Sequence, residues 1–414
     1  MKTIKMNNNN SQDRQHNKDV FFLGLMYSKQ TLEDAKEDSK AGIQMAPHIF
    51  QQNLLKGFAE RKDVNLSVFH VPPIGSYPIH YRKAFLHTDN WQAGYRQIGY
   101  INIPVLKHVL QERSIIRLIE KRLDNSRDQY VLVYTMYPPY VRACARLKQK
   151  HPNIHICLLQ TDPILGKDGT FTKNSVRNIR KGQKLIKLMK CFDSFVVLTK
   201  YLAEAMEIGD RPYTIVDCII NDAAITLPAC NNNKDRRRFL YTGSTRSSNG
   251  IKTLVDAFEY LPDAELWICG SGDSDDYIRE KDRKLNNVSF FGSIDHCKIA
   301  DIQAQCDYMI NPRTPAGGLT KYSFPSKTAE YMMTGKPTVM YKLEGLSDDY
   351  DELLTFIYSE DPKGLADELK EILNTDQLQL LARARRARNY VMREKSPEAQ
   401  AGRIISMWER GKCI

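Results

Sequence analysis

Strand-like and helix-like segments alternate along both halves of the sequence, and this alternation restricts the possible folds more than any other feature. In the first half, short apolar runs typical of buried strands occur at 20–26, 64–71, 130–134, 154–159 and 194–198. Helical stretches lie between them at 47–60, 104–123 and 139–150. The second half repeats the pattern, with strands predicted at 238–242, 265–269, 288–291, 308–311 and 338–341, and helices at 251–260, 298–306, 326–334 and 364–374. The alternation predicts two doubly wound, mostly parallel α/β sheets.

The length of 414 residues also favours two domains, because it exceeds what one hydrophobic core usually organises. We expect a disordered polar tail over 1–18, a first Rossmann-like domain over 19–221, a linker over 222–237 and a second Rossmann-like domain over 238–390. A helix within 391–414 should pack back toward the N-terminal domain. Open α/β sheets bind ligands at the carboxyl ends of their strands, so the layout suits an enzyme that holds one substrate in each domain.

Composition excludes several classes of protein. The apolar and charged fractions, 42% and 26%, are those of an ordinary soluble globular protein. No apolar run is long enough to span a bilayer, and the N-terminus lacks the apolar stretch of a signal peptide. The nine cysteines contain no C-x-x-C pair, which predicts a reducing, cytoplasmic location. The net charge of +11 is compatible with binding to nucleic acid, anionic lipid or phosphorylated substrates, and it does not distinguish among these three.

The segment 323–337 (SFPSKTAEYMMTGKP) contains the most specific chemical signal. Pro325 is suited to the first turn of a helix, and Ser323 or Ser326 can cap that turn. Gly335 is placed to end the helix as its C′ residue. The free N–H groups and positive dipole at the start of such a helix suit a phosphate group.

Two charged side chains extend this signal. Lys327 adds a positive charge in the first turn, and Glu330 lies three residues later on the same face. A carboxylate there can accept hydrogen bonds from two ribose hydroxyls, so the pair suits a nucleotide diphosphate. The alternative is a solvated helix with an ordinary Lys–Glu pair.

At this point the sequence resembles the retaining family 4 glycosyltransferases of the GT-B fold. Its motif at 324–337 is similar to the F-P-S-K-x-x-E-Y-M-x-x-G-x-P of the branch that builds bacterial surface polysaccharides. The first strand, loop and helix of that family's donor domain resemble three short segments of this sequence, which are 241–243 (YTG), 250–251 and 257–258. The glycine turn at 270–272 (GSG) resembles its next loop.

The resemblance is most specific over 238–352 and weaker over the first half, and it implies two Rossmann-like domains facing a central cleft. It also implies sugar transfer from a nucleotide-diphosphate sugar to a hydroxyl of a glycan or lipid-linked acceptor, without a bound metal or other cofactor. The donor residues that it implies, together with the neighbouring cations, are Gly243, Arg246, Lys252, Gly272, Arg313, Ser326, Lys327 and Glu330. Arg313 follows an apolar strand and is a second candidate phosphate contact; the alternative for it, as for Arg246 and Lys252, is an exposed loop cation.

This sequence departs from the family pattern at two places. Many relatives have two glutamates separated by seven residues, and Tyr322 replaces the first of them. In the loop 243–250, Arg246 is displaced and Asn249 stands where a lysine is usual. Recognition of the donor sugar is therefore left open.

Three residues in the first half are candidates for the acceptor side. Asp162 follows a strand and could orient an acceptor hydroxyl, or could cap a turn. Gly42 resembles a glycine that such enzymes place near the donor phosphates and the acceptor. His48, on the following helix, is favoured as a structural or surface histidine rather than a base. The expected catalytic group comprises Lys327, Arg246 and Asp162.

Two further segments carry charge. The acidic run 273–276 (DSDD) looks like a D-x-D metal site, but an acidic turn is preferred and no metal is expected. The segment 173–190 contains seven cations and no acid, which suits an anionic membrane surface, or else a solvated face. Aromatic residues at 77–100 could belong to an acceptor loop near such a membrane. We therefore expect a cytoplasmic protein, peripheral on the inner face of the cell membrane if this segment docks there.

Parts of the sequence suggest three other functions. Tyr322 and Asn249 leave open a non-catalytic nucleotide-sugar-binding partner of another transferase. A nicotinamide-dependent dehydrogenase would need G-x-G-x-x-G after its first strand, which 23–26 (LGLM) does not supply. A nucleic-acid-binding protein would suit the charge, but the sequence has no known binding motif, so no nucleic-acid partner is expected.

Overall fold

The computed structural model describes residues 17–40, 42–163, 184, 186–221, 236–316 and 320–411. The chain divides into two compact units, Met1–Leu159 with Thr172–Ser194, and Gln160–Phe171 with Phe195–Ile414. The predicted linker 222–237 and tail 1–18 lie almost wholly outside the described residues, as does most of the basic segment 173–190. The predicted domain ranges 19–221 and 238–390 therefore remain untested predictions.

The strands of the first half form one large sheet and one small strand pair. In chain order they are β1 (Lys18–Leu25), β2 (Val64–Val71), β3 (Phe85–Leu86), β4 (Asp89–Gln92), β5 (Tyr95–Gln97), β6 (Tyr100–Ile101), β7 (Asp128–Tyr134), β8 (His155–Gln160), β9 (Ser194–Val197) and β10 (Tyr213–Ile215). The large sheet has the order β10-β9-β8-β7-β1-β2-β5-β4. Strand β4 is antiparallel to β5, whereas β5–β2, β2–β1, β1–β7, β7–β8 and β9–β10 are parallel pairs. Strand β1 lies between β2 and β7 and is buried almost throughout, which explains its nearly continuous apolar sequence.

Helices alternate with these strands, as the sequence predicts. They are α1 (Lys29–Asp38), α2 (Met45–Ala59), α3 (Leu106–Glu120), α4 (Pro138–Lys150) and α5 (Lys200–Ala205). The hydroxyl of Tyr140 on α4 donates to the carbonyl of Gly24 at 2.5 Å and accepts from the N–H of Val71 at 3.2 Å. This buried tyrosine joins α4 to the ends of β1 and β2.

The second half forms a six-stranded parallel sheet. Its strands are β11 (Arg237–Thr242), β12 (Ala264–Cys269), β13 (Val288–Gly292), β14 (Tyr308–Asn311), β15 (Thr338–Tyr341) and β16 (Thr355–Ile357). They lie in the order β13-β12-β11-β14-β15-β16, which is the Rossmann order 3-2-1-4-5-6. The predicted fold class, two parallel-sheet α/β domains, is confirmed. Strand β16 was not predicted, because three residues are too few to show a period.

The helices of this sheet begin after the strand ends. They are α6 (Ile251–Ala257), α7 (Asp275–Lys284), α8 (His296–Ala304), α9 (Ser326–Met333), α10 (Pro362–Asn374), α11 (Gln377–Glu394) and α12 (Pro397–Arg410). Within the second unit, α12 contacts β10, and its Trp408 is fully buried. None of the helices described has the length and apolar character that crossing a bilayer requires.

Candidate functional site

The strand order of the second sheet reverses between β11 and β14. These two strands pair directly, while their connections leave toward opposite sides of the sheet. A crevice opens at such a point, outside the carboxyl ends of the strands, and ligands bind there in open α/β sheets. The segments at this position are 243–250, after β11, and the described parts of the connection from β14 to α9, 312–316 and 320–325.

The start of α9 differs in detail from the prediction. Pro325 is the N-cap residue and no side chain caps the turn, so the expected capping by Ser323 or Ser326 is wrong. The Ser323 hydroxyl instead accepts a hydrogen bond from Arg313 at 3.2 Å, and Ser326 is exposed as the first helical residue. Helix geometry leaves first-turn N–H groups without an intrahelical acceptor, so this end keeps its capacity for an anion.

The end of α9 agrees with the prediction. Gly335 has a φ of 67°, a left-handed conformation that costs glycine little, and its N–H donates to the carbonyl of Met332 at 3.1 Å. The Thr334 hydroxyl donates to the carbonyl of Tyr331 at 2.6 Å. The motif therefore builds a short helix that ends where the sequence indicates.

Lys327 and Glu330 share one face of α9, as predicted. Lys327 Nζ lies 2.6 Å from Glu330 Oε2, and the side chains are 38% and 35% exposed. An ion pair that water can reach at this level stabilises a fold by only about 0–1 kcal/mol. A ligand that offers phosphate oxygens to Lys327 and hydroxyls to Glu330 can therefore separate the pair at small cost.

Tyr331 fixes α9 against the end of β11. Its hydroxyl accepts from the N–H of Thr242 at 2.8 Å and donates to the Thr242 carbonyl at 2.9 Å. The ring is fully buried, and burial raises the pKa of the phenol well above its ordinary value. Sequence reasoning did not assign this role. The available signal was a hydroxyl beside Glu330 within the apolar run Tyr331-Met332-Met333.

Arg313 lies just past the end of β14 and is half-buried. Its backbone N–H donates to Asn311 Oδ1 at 3.2 Å, and its guanidinium donates to Ser323. Burial lowers the pKa of the guanidinium from its ordinary value, and arginine still remains cationic at neutral pH. Asn311 Nδ2 also donates to Thr328 Oγ1 on α9 at 3.2 Å. Arg313 and α9 are thus held at the same end of the same strand.

The loop after β11 rests against the glycine turn that follows β12. A side chain at Gly272 would place its Cβ 2.6 Å from the carbonyl carbon of Thr245 and 2.7 Å from the N of Arg246. The N–H of Thr245 also donates to the carbonyl of Ser271 at 3.1 Å. Only glycine permits this backbone approach, which explains the GSG sequence of the turn.

The acidic run 273–276 secures the same loop. Asp273 Oδ1 accepts from the N–H of Ser247 at 2.7 Å. Asp275 Oδ1 accepts from the N–H of Gly272 at 2.9 Å and from the Thr245 hydroxyl. Asp273 therefore holds the backbone after Arg246 and Asp275 holds the Thr245 side chain before it, as an acidic turn would. In the described ranges, no group of three or more His, Cys, Asp or Glu could hold a metal ion.

The remaining loop residues are placed as follows. Arg246 is exposed, and Lys252 lies 5.1 Å from the ring centre of Tyr277. Asn249 Nδ2 donates to the carbonyl of Ser244 at 2.9 Å, so it supports the loop backbone. Tyr322 is buried. The two departures from the family pattern therefore have structural contacts of their own.

The candidate acceptor residues have simpler surroundings. Gly42 is exposed, and a Cβ there would meet no atom within 4 Å. His48 is buried, accepts at Nδ1 from the N–H of Tyr27 at 3.4 Å, and has its pKa lowered by burial. Asp162 is exposed and accepts from the Thr161 hydroxyl at 3.0 Å. No acceptor contact can be assigned from these bonds.

Known proteins share this architecture. Residues 236–375 match the family model described as "Glycosyl transferases group 1". Sucrose-phosphate synthase from Thermosynechococcus elongatus superimposes with a TM-score of 0.62 at 15% identity, over 95% of this chain and 98% of that one. HepE from Anabaena in complex with UDP-glucose gives 0.59 at 12% identity, over 95% and 99%.

The lipopolysaccharide outer core galactosyltransferase WaaB is also similar, with a TM-score of 0.58 at 13% identity, over 94% of this chain and 99% of that one. Comparison with curated proteins by sequence found no significant match. At such low identity the structural likeness establishes the fold alone, and the family match adds support for glycosyl transfer. The chain therefore has the GT-B fold and contains, over residues 236–375, a region that matches the glycosyl transferases of group 1.

Proposed function

We propose that this protein transfers a sugar from a nucleotide-diphosphate sugar to a hydroxyl of a glycan or lipid-linked acceptor, with retention of anomeric configuration. The observation that carries the proposal is the position of α9 at the strand-order reversal. There Tyr331 holds the helix to Thr242, the helix carries Lys327 and Glu330, and Arg313 donates to Ser323 just before the helix begins. The solved relative HepE, which binds UDP and UDP-glucose, supports a donor of this class.

The proposed donor site uses the N–H groups at the start of α9, with Lys327 and Arg313 as cations for the diphosphate. Glu330 accepts from the ribose hydroxyls, which requires its ion pair with Lys327 to open. Arg246 and Lys252 are further candidate cations, because they lie on the loop and helix that follow β11. Gly243 and Gly272 contribute backbone where the two loops approach each other.

In the proposed reaction, the acceptor oxygen forms a bond to the anomeric carbon on the face from which the diphosphate departs. The bond between that carbon and the phosphate oxygen breaks, and the departing diphosphate takes the acceptor proton. The protein then needs no nucleophile of its own. Its contribution is to position both substrates and to stabilise the charge that develops on the leaving group. Cations and helix N–H groups perform this role, so no metal is invoked.

For the acceptor side, Asp162, Gly42 and His48 stay proposals. The proposed setting is assembly of a surface polysaccharide or glycoconjugate in the cytoplasm, at the inner face of the cell membrane. A catalytically inactive partner that binds a nucleotide sugar is the alternative, motivated by Tyr322 and Asn249. Turnover of a donor decides between the two.

The test measures thermal unfolding with a panel of nucleoside diphosphates, followed by turnover with the nucleotide sugars of the bases that bind. We expect stabilisation by at least one nucleoside diphosphate, and hydrolysis or transfer from its sugar. Binding without turnover, over a broad set of acceptors, would favour the inactive partner. Absence of any nucleotide effect would contradict the donor site itself.

A further inference from the structure

Helix α11 concentrates positive charge on the second unit. Between Gln377 and Arg393 the sequence contains no acidic residue and five arginines, which are Arg383, Arg385, Arg386, Arg388 and Arg393. The helix buries a stripe formed by Leu380, Ala384, Ala387 and Val391. Arg385 and Arg386 lie outside this stripe and are exposed. The fold therefore does not use these two cations, and their charge faces solvent.

Large apolar side chains are exposed on the same outward face. Leu378 is 76% exposed, Leu381 37% and Met392 39%. Leu381 lies three residues after Leu378, Arg385 lies four residues after Leu381, and Met392 lies seven residues after Arg385. These intervals place all four residues on one side of a helix. An exposed leucine alone is ordinary, but three large apolar residues that share one side of a helix with Arg385 form an amphipathic surface.

A basic cleft lies on the flank of the same helix, at Arg386. It has a volume of about 480 Å³ and is lined by Arg383, Arg386 and Gln379 of α11, with Thr355 and Thr375 beside them. None of the residues lining it is acidic. Guanidinium, amide and hydroxyl groups are the donors that bind phosphate oxygens. The cleft lies at the amino end of β16, whereas the donor site lies at the carboxyl ends of β11 and β14.

We propose that the outward face of α11 docks on a membrane surface that contains anionic lipid. The arginines contact lipid phosphates, with one headgroup held in the basic cleft, and Leu378, Leu381 and Met392 enter the interfacial region. Charge alone would equally suit a nucleic acid. The exposed leucines favour lipid, because acyl chains remove them from water and a ribose-phosphate backbone does not. This surface is independent of glycosyl transfer and of the segment 173–190.

The first test is flotation of the full-length protein with vesicles of phosphatidylcholine, with and without phosphatidylglycerol. We expect binding only when phosphatidylglycerol is present, weakened by salt. The Arg385→Glu/Arg386→Glu variant should bind at least about tenfold more weakly, since each basic residue near an anionic surface contributes about 1 kcal/mol. The matched control is Arg283→Glu/Lys284→Glu, which changes the same charge on α7. That helix contacts β13, at the opposite edge of the sheet from β16.

A second variant separates lipid from nucleic acid. Leu378→Gln/Leu381→Gln keeps every charge, so it should weaken vesicle binding severalfold while leaving any binding to duplex RNA unchanged. All variants change exposed residues, so nucleotide binding should equal that of the wild type. The unfolding temperature should stay close to it, slightly lowered in the α7 control because Lys284 loses its ion pair with Glu280. The proposal is overturned if anionic vesicles do not bind the wild type. It is also overturned if the α7 control loses as much binding as the α11 variant, or if RNA binds and vesicles do not.

Discussion

The hydroxyl of Tyr331 forms two hydrogen bonds with the backbone of one residue, Thr242, at 2.8 and 2.9 Å. Thr242 is the last residue of β11, and Tyr331 lies 89 positions later in the helix that carries Lys327 and Glu330. This side chain therefore ties the central strand to the helix that carries the proposed donor residues, alongside the bond from Asn311 to Thr328.

Tyr331→Phe should lower the free energy of unfolding and weaken nucleotide binding together. The change leaves the buried N–H and carbonyl of Thr242 without their partner, at a cost of about 1–3 kcal/mol. Urea unfolding and nucleotide titration measure the two effects. Tyr308→Phe is the control, because it removes a tyrosine hydroxyl bond to Gln377 in the same unit. It should reduce stability without changing nucleotide affinity; an equal loss of affinity would show that Tyr331 has no special role.

Lys327→Ala should reduce kcat with a nucleotide-sugar donor by about 10²-fold or more, because charge on the departing diphosphate loses its stabilisation. Stability should change by less than about 1 kcal/mol, since the pair with Glu330 is partly exposed. Steady-state kinetics measures the loss of kcat, and thermal unfolding measures the change in stability. Lys298→Ala, at an exposed lysine of α8, serves as the control. Normal kcat in the Lys327 variant would exclude this lysine from the reaction.

Glu330→Gln should weaken nucleoside diphosphate binding about tenfold, the equivalent of one hydrogen bond to a charged group. The sharper measurement compares a ribonucleotide with its 2′,3′-dideoxy analogue by calorimetry. The wild type should prefer the ribonucleotide, and the variant should lose most of that preference. If both proteins discriminate equally, the ribose hydroxyls bind elsewhere.

Gly272→Ala should destabilise the second unit and weaken donor binding. Its Cβ would lie 2.6 Å from backbone at Thr245, so the loop that carries Arg246 must shift. Overpacking of this kind costs about 1–3 kcal/mol. Gly42→Ala provides the comparison, because the space around Gly42 is open and stability should stay within about 0.5 kcal/mol of the wild type. The free energies of unfolding of the two variants are measured with denaturant. Equal values would contradict the close approach of Gly272 to the backbone of Thr245 and Arg246.

Lys395→Met should destabilise the protein by about 3–5 kcal/mol, because it leaves a buried carboxylate unpaired. Lys395 Nζ lies 2.8 Å from both carboxylate oxygens of Asp217, and both side chains are almost fully buried. The double variant Lys395→Met/Asp217→Asn should regain much of the loss, since asparagine is neutral and still accepts from the hydroxyl of Tyr350. Chemical unfolding at neutral pH tests both changes. No recovery in the double variant would mean that packing, rather than charge, dominates at this position.

Much of the fold could be predicted because the central strands are long apolar runs with clear ends. Strand β14 and strand β15 have the predicted limits, and α9 ends one residue before its prediction. Helix α11 was missed because its buried stripe includes two alanines, Ala384 and Ala387, among arginines. Small side chains give a weak periodic signal, although they pack as closely as large ones.

In the candidate site, the contacts that could be predicted are those between residues on one turn of the same helix. Lys327 and Glu330 are three residues apart, so helix geometry alone brings them together. The contact between Tyr331 and Thr242 depends on which strand lies under the helix, and the separate segments do not reveal that. The cap at Pro325 was mispredicted because Ser323 has a competing partner, Arg313, on another loop.

The ion pair between Lys327 and Glu330 has a consequence for selectivity among anions. Each charge of the pair is partly balanced by the other, so a simple phosphate or chloride ion that binds Lys327 must replace a carboxylate that is covalently tethered nearby. A nucleoside diphosphate brings oxygens for the lysine and hydroxyls for the glutamate in one molecule, and so satisfies both sides of the exchange. The pair therefore favours a ligand that carries both kinds of group over a simple anion, by no more than the roughly 0–1 kcal/mol that such an exposed pair is worth.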